Sequence, residues 1–172
     1  YFFYQNIKSF RIGIDEVRWE LDYYEHGGNP SGHSIPQRFA FWKISKDLIA
    51  ENPLLGVGTG DIKDAYAAYY ATHPTGIDSN NQLRAHNQYL SIAVALGLIG
   101  LIFFVAGLIY PFLALKGYTN LIYAAFFITF ISSMLVEDTI ETQAGATFFA
   151  FFAALYVRPF HALEPELDEK AT

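Results

Sequence analysis

The chain has 172 residues, 52% of them hydrophobic and 17% aromatic, with a formal net charge of −6 and no cysteine. An acidic chain lacks the basic patch that a nucleic-acid partner requires. Without cysteine there is neither a disulfide framework nor a thiolate metal site. The charge is unevenly placed: residues 5–90 hold most of it and residues 91–157 almost none, so the chain divides into a water-facing and a membrane-like part.

Tyr1-Phe2-Phe3-Tyr4 opens the chain with no initiator Met and no signal-peptide pattern. Such an aromatic cluster fits the interfacial end of a preceding membrane helix, so the chain is expected to be the C-terminal piece of a larger membrane protein. Residues 5–35 are polar and mixed, and Ile12, Ile14, Val17, Trp19 and Leu21 follow no clean period. Gly27-Gly28-Asn29-Pro30-Ser31-Gly32 reads as a loop. Pro36 then opens a helix over residues 36–51, where its missing N–H costs nothing, with Phe39, Trp42, Ile44, Leu48 and Ile49 as a partial apolar face. Asn52-Pro53 ends it. Leu54-Leu55-Gly56-Val57-Gly58-Thr59-Gly60 is a short apolar segment with glycine turns. Thr59 or Asp61 can cap a further helix over Ile62–Thr72, and residues 73–82 form a loop.

Residues 91–115 then run for 25 positions without a charge, enough for a helix to cross a bilayer, which takes roughly 20 apolar residues. Residues 116–120 form a tight turn. Two more candidate spans follow at 121–136 and 144–157, the last of only 14 residues. The expected fold is therefore an all-α membrane protein: the end of a span at 1–4, an external loop domain of short helices at 5–90, about three C-terminal transmembrane helices within 91–158, and an acidic, disordered cytoplasmic tail at 159–172. Lys116 and Arg158 mark the cytoplasmic side by the positive-inside rule, while the stretch 137–143, with three carboxylates and no Lys or Arg, falls outside together with residues 5–90. That topology brings His86 and Glu137 to the same side.

Several groups could carry chemistry. Arg38 and Trp42, four apart on one helix, share a face. They read either as a surface arginine over an indole or as a guanidinium clamp for phosphate. The segment from Asn52 to Asp61, with glycines at 56, 58 and 60, reads as a structural turn or as a backbone cradle for an anion. It lacks the Lys-Ser/Thr ending of a Walker A loop and is not a dinucleotide fingerprint. His86 precedes a helix whose N-terminus favours anions. It is either an interfacial, capping histidine or a general base working near neutral pH. Arg84 either neutralises a phosphate or faces water. Arg84, His86 and the Asn87 amide together stand where a lipid's polar headgroup would be handled. Glu137, Asp138 and Glu141 read as solvated loop charges, with Glu137 alternatively pairing with an arginine of the site. His26, His33, His73 and His161 show no metal-ligand spacing, and no EF-hand loop is present, so no metal site is expected.

Arg38-x-x-x-Trp42, Asn52-Pro53-Leu54-Leu55-Gly56-Val57-Gly58-Thr59-Gly60, His86-Asn87-x-x-Leu90 and Gly97-Leu98-Ile99-Gly100-Leu101, in that order, resemble the C-terminal part of the O-antigen ligase and polymerase superfamily of bacterial membrane proteins. Met134-Leu135-Val136-Glu137, followed by Gly145 in a last apolar run, also fits, so the resemblance covers about residues 36–157. It implies a multi-pass glycosyltransferase of the bacterial inner membrane with its active site facing the periplasm. Such an enzyme moves a glycan from undecaprenyl pyrophosphate to an acceptor hydroxyl, on lipid A–core in ligases or on another lipid-linked repeat unit in polymerases. It implies no cofactor: the pyrophosphate is already a good leaving group, and the protein must hold its charge and deprotonate the acceptor. Arg38 matches the family's phosphate-contacting arginine and His86 its proposed base; Arg84 is a second phosphate contact without a firm counterpart; Trp42, Asn87 and Glu137 are supporting residues. The superfamily uses roughly ten or more spans, so the resemblance also implies that this piece alone is inactive. A non-catalytic membrane carrier or assembly module is the rival reading from another class; it accounts for the apolar runs but not for His86.

Overall fold

The computed structural model describes residues 2–157; among these the regular elements are helices and short 3-10 turns, with no strand. The expectations placed on Arg158, on His161 and on the tail 159–172 lie outside the described residues. The chain begins with a short α1 (Phe2–Asn6) and runs directly into α2 (Lys8–Glu25). The 18-residue α2 occupies a stretch where the sequence suggests no period. Its stripe is Phe10, Ile14, Val17 and Leu21, at helical spacing. Ile12 and Trp19 lie on another face and mask it, and Trp19 is 58% exposed. The helix buries no residue fully. Trp19 stacks on Tyr23, both rings meet His33, and Glu20 pairs with His33 at 3.5 Å, which ties α2 to the start of the next helix.

The α3 helix (Ser34–Glu51) starts ahead of Pro36. The proline sits inside the first turn, where backbone N–H groups have no partner in any case. The buried face is Ala40, Phe41, Ile44, Ser45 and Leu48, shifted from the expected stripe, and Phe39 is left outward. The α4 helix (Ile62–Thr72) has the expected bounds and buries Ile62 and Tyr66, one turn apart. The Tyr66 and Ser45 hydroxyls share a hydrogen bond of 2.6 Å. These side chains close one core together with Ile77, Val94 and Ala95, so the core joins the polar first part to the helix that follows.

That helix, α5 (Gln88–Ala114), is the one described helix long and apolar enough to cross a membrane. It is broken at Gly97, whose backbone (φ 67°, ψ −171°) is open in practice only to glycine. The segment from Pro53 to Gly58 fills the break. Val57 N–H donates to Val94 C=O (2.9 Å) and Gly58 N–H to Ala95 C=O (2.8 Å), while Leu98 N–H donates to Pro53 C=O (2.8 Å) and Ile99 N–H to Leu54 C=O (3.4 Å). Backbone freed by a break inside an apolar helix has to find partners within the protein, and this loop supplies them. Gly56 and Gly97 permit the approach: a Cβ on Gly56 would meet the Ala95 carbonyl at 2.5 Å, and one on Gly97 would collide with the Leu54 carbonyl.

Burial changes at the break. Before it, Gln88, Ser91, Ala93, Val94 and Ala95 are buried; beyond it, only Leu108 is, and Leu98, Ile99, Ile102, Phe103, Ile109 and Leu113 are exposed. A left-handed Lys116 (φ 52°) turns the chain, and the Asn120 side chain caps α6 (Leu121–Ser133) by accepting from Ile122 and Tyr123 N–H, each at 3.1 Å. The α6 helix stops short of the expected 136, because residues 134–136 turn to present the Met134 carbonyl to Gln88 N–H (2.9 Å). The last helix, α7 (Gln143–Val157), has 15 residues and α6 has 13. Both are apolar but short of a span by themselves, so about three transmembrane helices are not established: one described helix, α5, is long and apolar enough to cross a membrane. Leu108, Phe130 and buried Met134, flanked by Phe104, Ile140 and Phe149, pack the three helices together.

Candidate functional site at the mouth of the broken helix

Residues 83–87 lead into α5, and their alternate positions are tied down. Tyr70 O–H donates to Leu83 C=O (2.8 Å) and Trp42 Nε1–H to Ala85 C=O (3.0 Å). Ala85 is fully buried. Asn87 is only 6% exposed. Its side-chain oxygen accepts from Tyr89 and Leu90 N–H (3.0 and 3.1 Å), and its Nδ2–H donates to Leu135 C=O (3.0 Å). The Asn87 amide is thus committed to capping the helix and joining it to the 134–136 turn, and cannot also take a headgroup. With 83, 85 and 87 fixed, Arg84 and His86 are left facing the clefts. His86 adopts φ 46°, an uncommon conformation for a side-chain-bearing residue, of the kind that clusters at working sites.

The three carboxylates after α6 meet these cations. His86 Nδ1 and Arg38 Nη2 both lie 3.5 Å from the Glu137 carboxylate, one on each oxygen. Arg38 also donates to Ser34 Oγ (3.3 Å). Arg84 pairs with Glu141 at 2.9 Å and approaches Asp138 at 3.9 Å. Asp138 accepts from Ser91 Oγ–H (2.6 Å), and Gln88 accepts from Ile140 N–H (2.8 Å), which pins the carboxylate loop to the top of α5. Arg38, Arg84, His86 and Glu137, separated by up to 99 positions, therefore come together. Trp42 shares α3 with Arg38, but its indole stands edge-on to Phe39 and donates to the Ala85 carbonyl, so it shapes the loop under His86. Asp138 and Glu141 are engaged in ion pairs, and not the free loop charges their spacing suggests. Among the described residues no three His, Asp or Glu side chains are placed to hold a metal ion.

His86 lines three clefts. One, of about 460 Å³, is walled by Lys63, Tyr66, Ala67 and Tyr70 of α4 together with Ser79, Gln82, Leu83, Arg84 and Asp138. A second, of about 570 Å³, lies among Arg84 and the carboxylate loop. The third, of about 260 Å³, holds Arg38 with Ser34, Gln37, Phe41 and Glu137. Burial pushes the Tyr66 phenol up to about 12 and raises Tyr70 further; the hydrogen bond to Asp47 is the main cause of a similar rise at Tyr69. All three phenols are therefore neutral donors at physiological pH. The first cleft escapes a motif reading; its sequence signal is the Tyr66–Tyr70 pair at i, i+4, an ordinary helix stripe.

The sequence pattern of the O-antigen ligase family matches residues 3–105. The chain belongs to the O-antigen ligase family. The match takes in α1 and α2, which the motif resemblance leaves out, and also Arg38, the broken helix with its bracing loop, and His86. It stops ahead of Glu137 and the last two helices. No protein of curated function matches the chain. Membership makes this a membrane-associated protein of a glycosyltransferase-like family whose partners are a lipid-linked glycan and an acceptor.

Proposed function

We propose that this member of the O-antigen ligase family transfers a glycan from undecaprenyl pyrophosphate to a hydroxyl of lipid A–core at the periplasmic face of the inner membrane. The observation that carries the reading is His86, held in a left-handed backbone between two arginines at the mouth of α5. In this reading Arg38 binds the pyrophosphate in its cleft and Arg84 adds positive charge on the other side of His86. The acceptor oxygen attacks the anomeric carbon and its proton passes to His86. The bond from that carbon to the pyrophosphate oxygen breaks, and undecaprenyl pyrophosphate leaves with the electron pair. A base in hydrogen-bond reach contributes typically 10²–10⁴-fold. The pyrophosphate, once seated, takes the place of Glu137 on Arg38, since an exposed ion pair at 3.5 Å is worth at most about 1 kcal/mol.

The placement is supported by geometry. The site occupies the end of α5 opposite Lys116, the cation that the positive-inside rule assigns to the cytoplasm. The exposed apolar side chains of α6 and α7, including Leu121, Ile122, Phe148 and Phe151, support both helices lying in the bilayer beside α5. The test is His86→Gln in the full-length protein in cells, with membrane expression checked and surface glycan and lipid-linked precursor measured together. Loss of transferred glycan with accumulation of full-length chains on the carrier supports the ligase reading, and single repeat units on the acceptor instead indicate a polymerase. Unchanged glycan removes His86 from the chemistry and leaves a carrier or assembly role.

A further inference from the structure

The three clefts around His86 differ in what they can hold. The Arg38 cleft offers a guanidinium, a hydroxyl and an amide in a small space, with the exposed Glu137 carboxylate as the group a phosphate would displace from Arg38. The cleft among Glu137, Asp138 and Glu141 is dominated by carboxylates and repels one. The α4 cleft is of another kind. On one wall Tyr70 is half-buried with its hydroxyl taken by the Leu83 carbonyl, so what it offers is ring surface, while Tyr66 one turn away is buried and bonded to Ser45 and backs the wall. Ser79, Gln82 and Lys63 supply hydroxyl, amide and ammonium groups, and Arg84, His86 and Asp138 close the base. A ring face set among a few placed polar groups is the lining of a site for a small polar organic ligand, and a pyranose has matching features: apolar C–H faces and a rim of hydroxyls. No residue of α5, α6 or α7 lines this cleft, so it opens on the water-facing part and is unsuited to a polyprenyl chain.

We infer that the α4 cleft, walled by Lys63, Tyr66, Ala67 and Tyr70, binds the sugar that donates the attacking hydroxyl, so that acceptor and pyrophosphate enter on opposite sides of His86. The inference rests on the transferase reading above and names its second substrate site. A glycan has two sources here, the acceptor and the donor's own first sugar; the Arg38 cleft lies across His86, which assigns the α4 cleft to the acceptor. The test uses full-length protein in proteoliposomes with undecaprenyl-pyrophosphate-linked glycan and whichever acceptor the wild type uses, lipid A–core or a second lipid-linked repeat unit. Ala67→Trp fills the cleft from α4, Lys63→Ala removes its ammonium, and Ala68→Trp, on the same helix outside the cleft, controls for folding.

Ala67→Trp is expected to raise the acceptor KM about tenfold or more and Lys63→Ala a few-fold, with the donor KM within about twofold of wild type and Ala68→Trp unaltered. A rise in donor KM alone overturns the assignment in favour of the donor's sugar, and unchanged constants in both cleft variants overturn the site altogether. Transfer that survives in His86→Gln, or absence of transfer by the wild type, counts against the transferase reading itself and is told apart from either result.

Discussion

Gly97→Ala is the sharpest perturbation of this fold, because it adds one methyl group where the broken helix and its bracing loop meet. Two costs combine. The backbone at φ 67°, ψ −171° is open to glycine alone, and forcing another residue there costs roughly 1–3 kcal/mol. The new Cβ also collides with the Leu54 carbonyl, so the loop must withdraw and the bonds from Leu98 to Pro53 and from Ile99 to Leu54 lengthen or break. At about 1 kcal/mol net for each, the sum is ~3–5 kcal/mol, a large share of a typical stability of 5–15 kcal/mol. Gly107→Ala is the control: it lies in the same helix, and a Cβ there meets nothing within 4 Å, so it is expected to be neutral or stabilising by up to about 1 kcal/mol. The assay is thermal melting of the detergent-solubilised protein together with its yield in membranes. Equal melting temperatures for the two variants would refute the account of the break as a closed backbone joint.

Three further outcomes are expected. Asn87→Ala removes the cap of α5 and strands the Leu135 carbonyl, costing about 1–2 kcal/mol; hydrogen exchange at the Tyr89 and Leu90 amides accelerates, and unchanged exchange would show that the cap is not used. Glu137→Gln leaves the melting temperature nearly unaltered, since its pairs are exposed, but lowers kcat about tenfold through the loss of the group facing His86 Nδ1; an unaltered kcat makes Glu137 an ordinary loop charge. Tyr66 ionises at about 12 in the fold against an ordinary value of 10, so the unfolded chain releases its proton first. The stabilisation is complete below pH 10 and is lost as pH rises from 10 to 12, by about 2–3 kcal/mol. The stability gap between wild type and Tyr66→Phe therefore narrows over that interval, and a gap independent of pH contradicts the burial of this phenol.

The parts legible in the sequence were those with local causes. The Ile62–Thr72 helix is bounded by turn residues on both sides, and its reading coincides with the structure. The apolar run from Ser91 needs only composition. The α2 helix was missed because Ile12 and Trp19 blur a stripe that packs on one side only. The break at Gly97 left no mark, since glycine is common in apolar helices and the groups that complete it come from Pro53 to Gly58, some forty positions away. At the site, His86 and Arg38 stood out through motif resemblance. That Arg84 pairs with Glu141, or that the Asn87 amide is consumed by a cap, depends on contacts across the chain that spacing does not encode.

The change of burial at Gly97 also acts as a depth gauge. With residues 98–114 in hydrocarbon they reach about 25 Å, close to the thickness of a bilayer core. The segment from Gln88 to the break, ~13 Å long, packs instead against α3, α4 and the loop from Pro53 to Gly58. In that placement the break at Gly97, and not the end of the apolar run, sets how far His86 stands from the bilayer core.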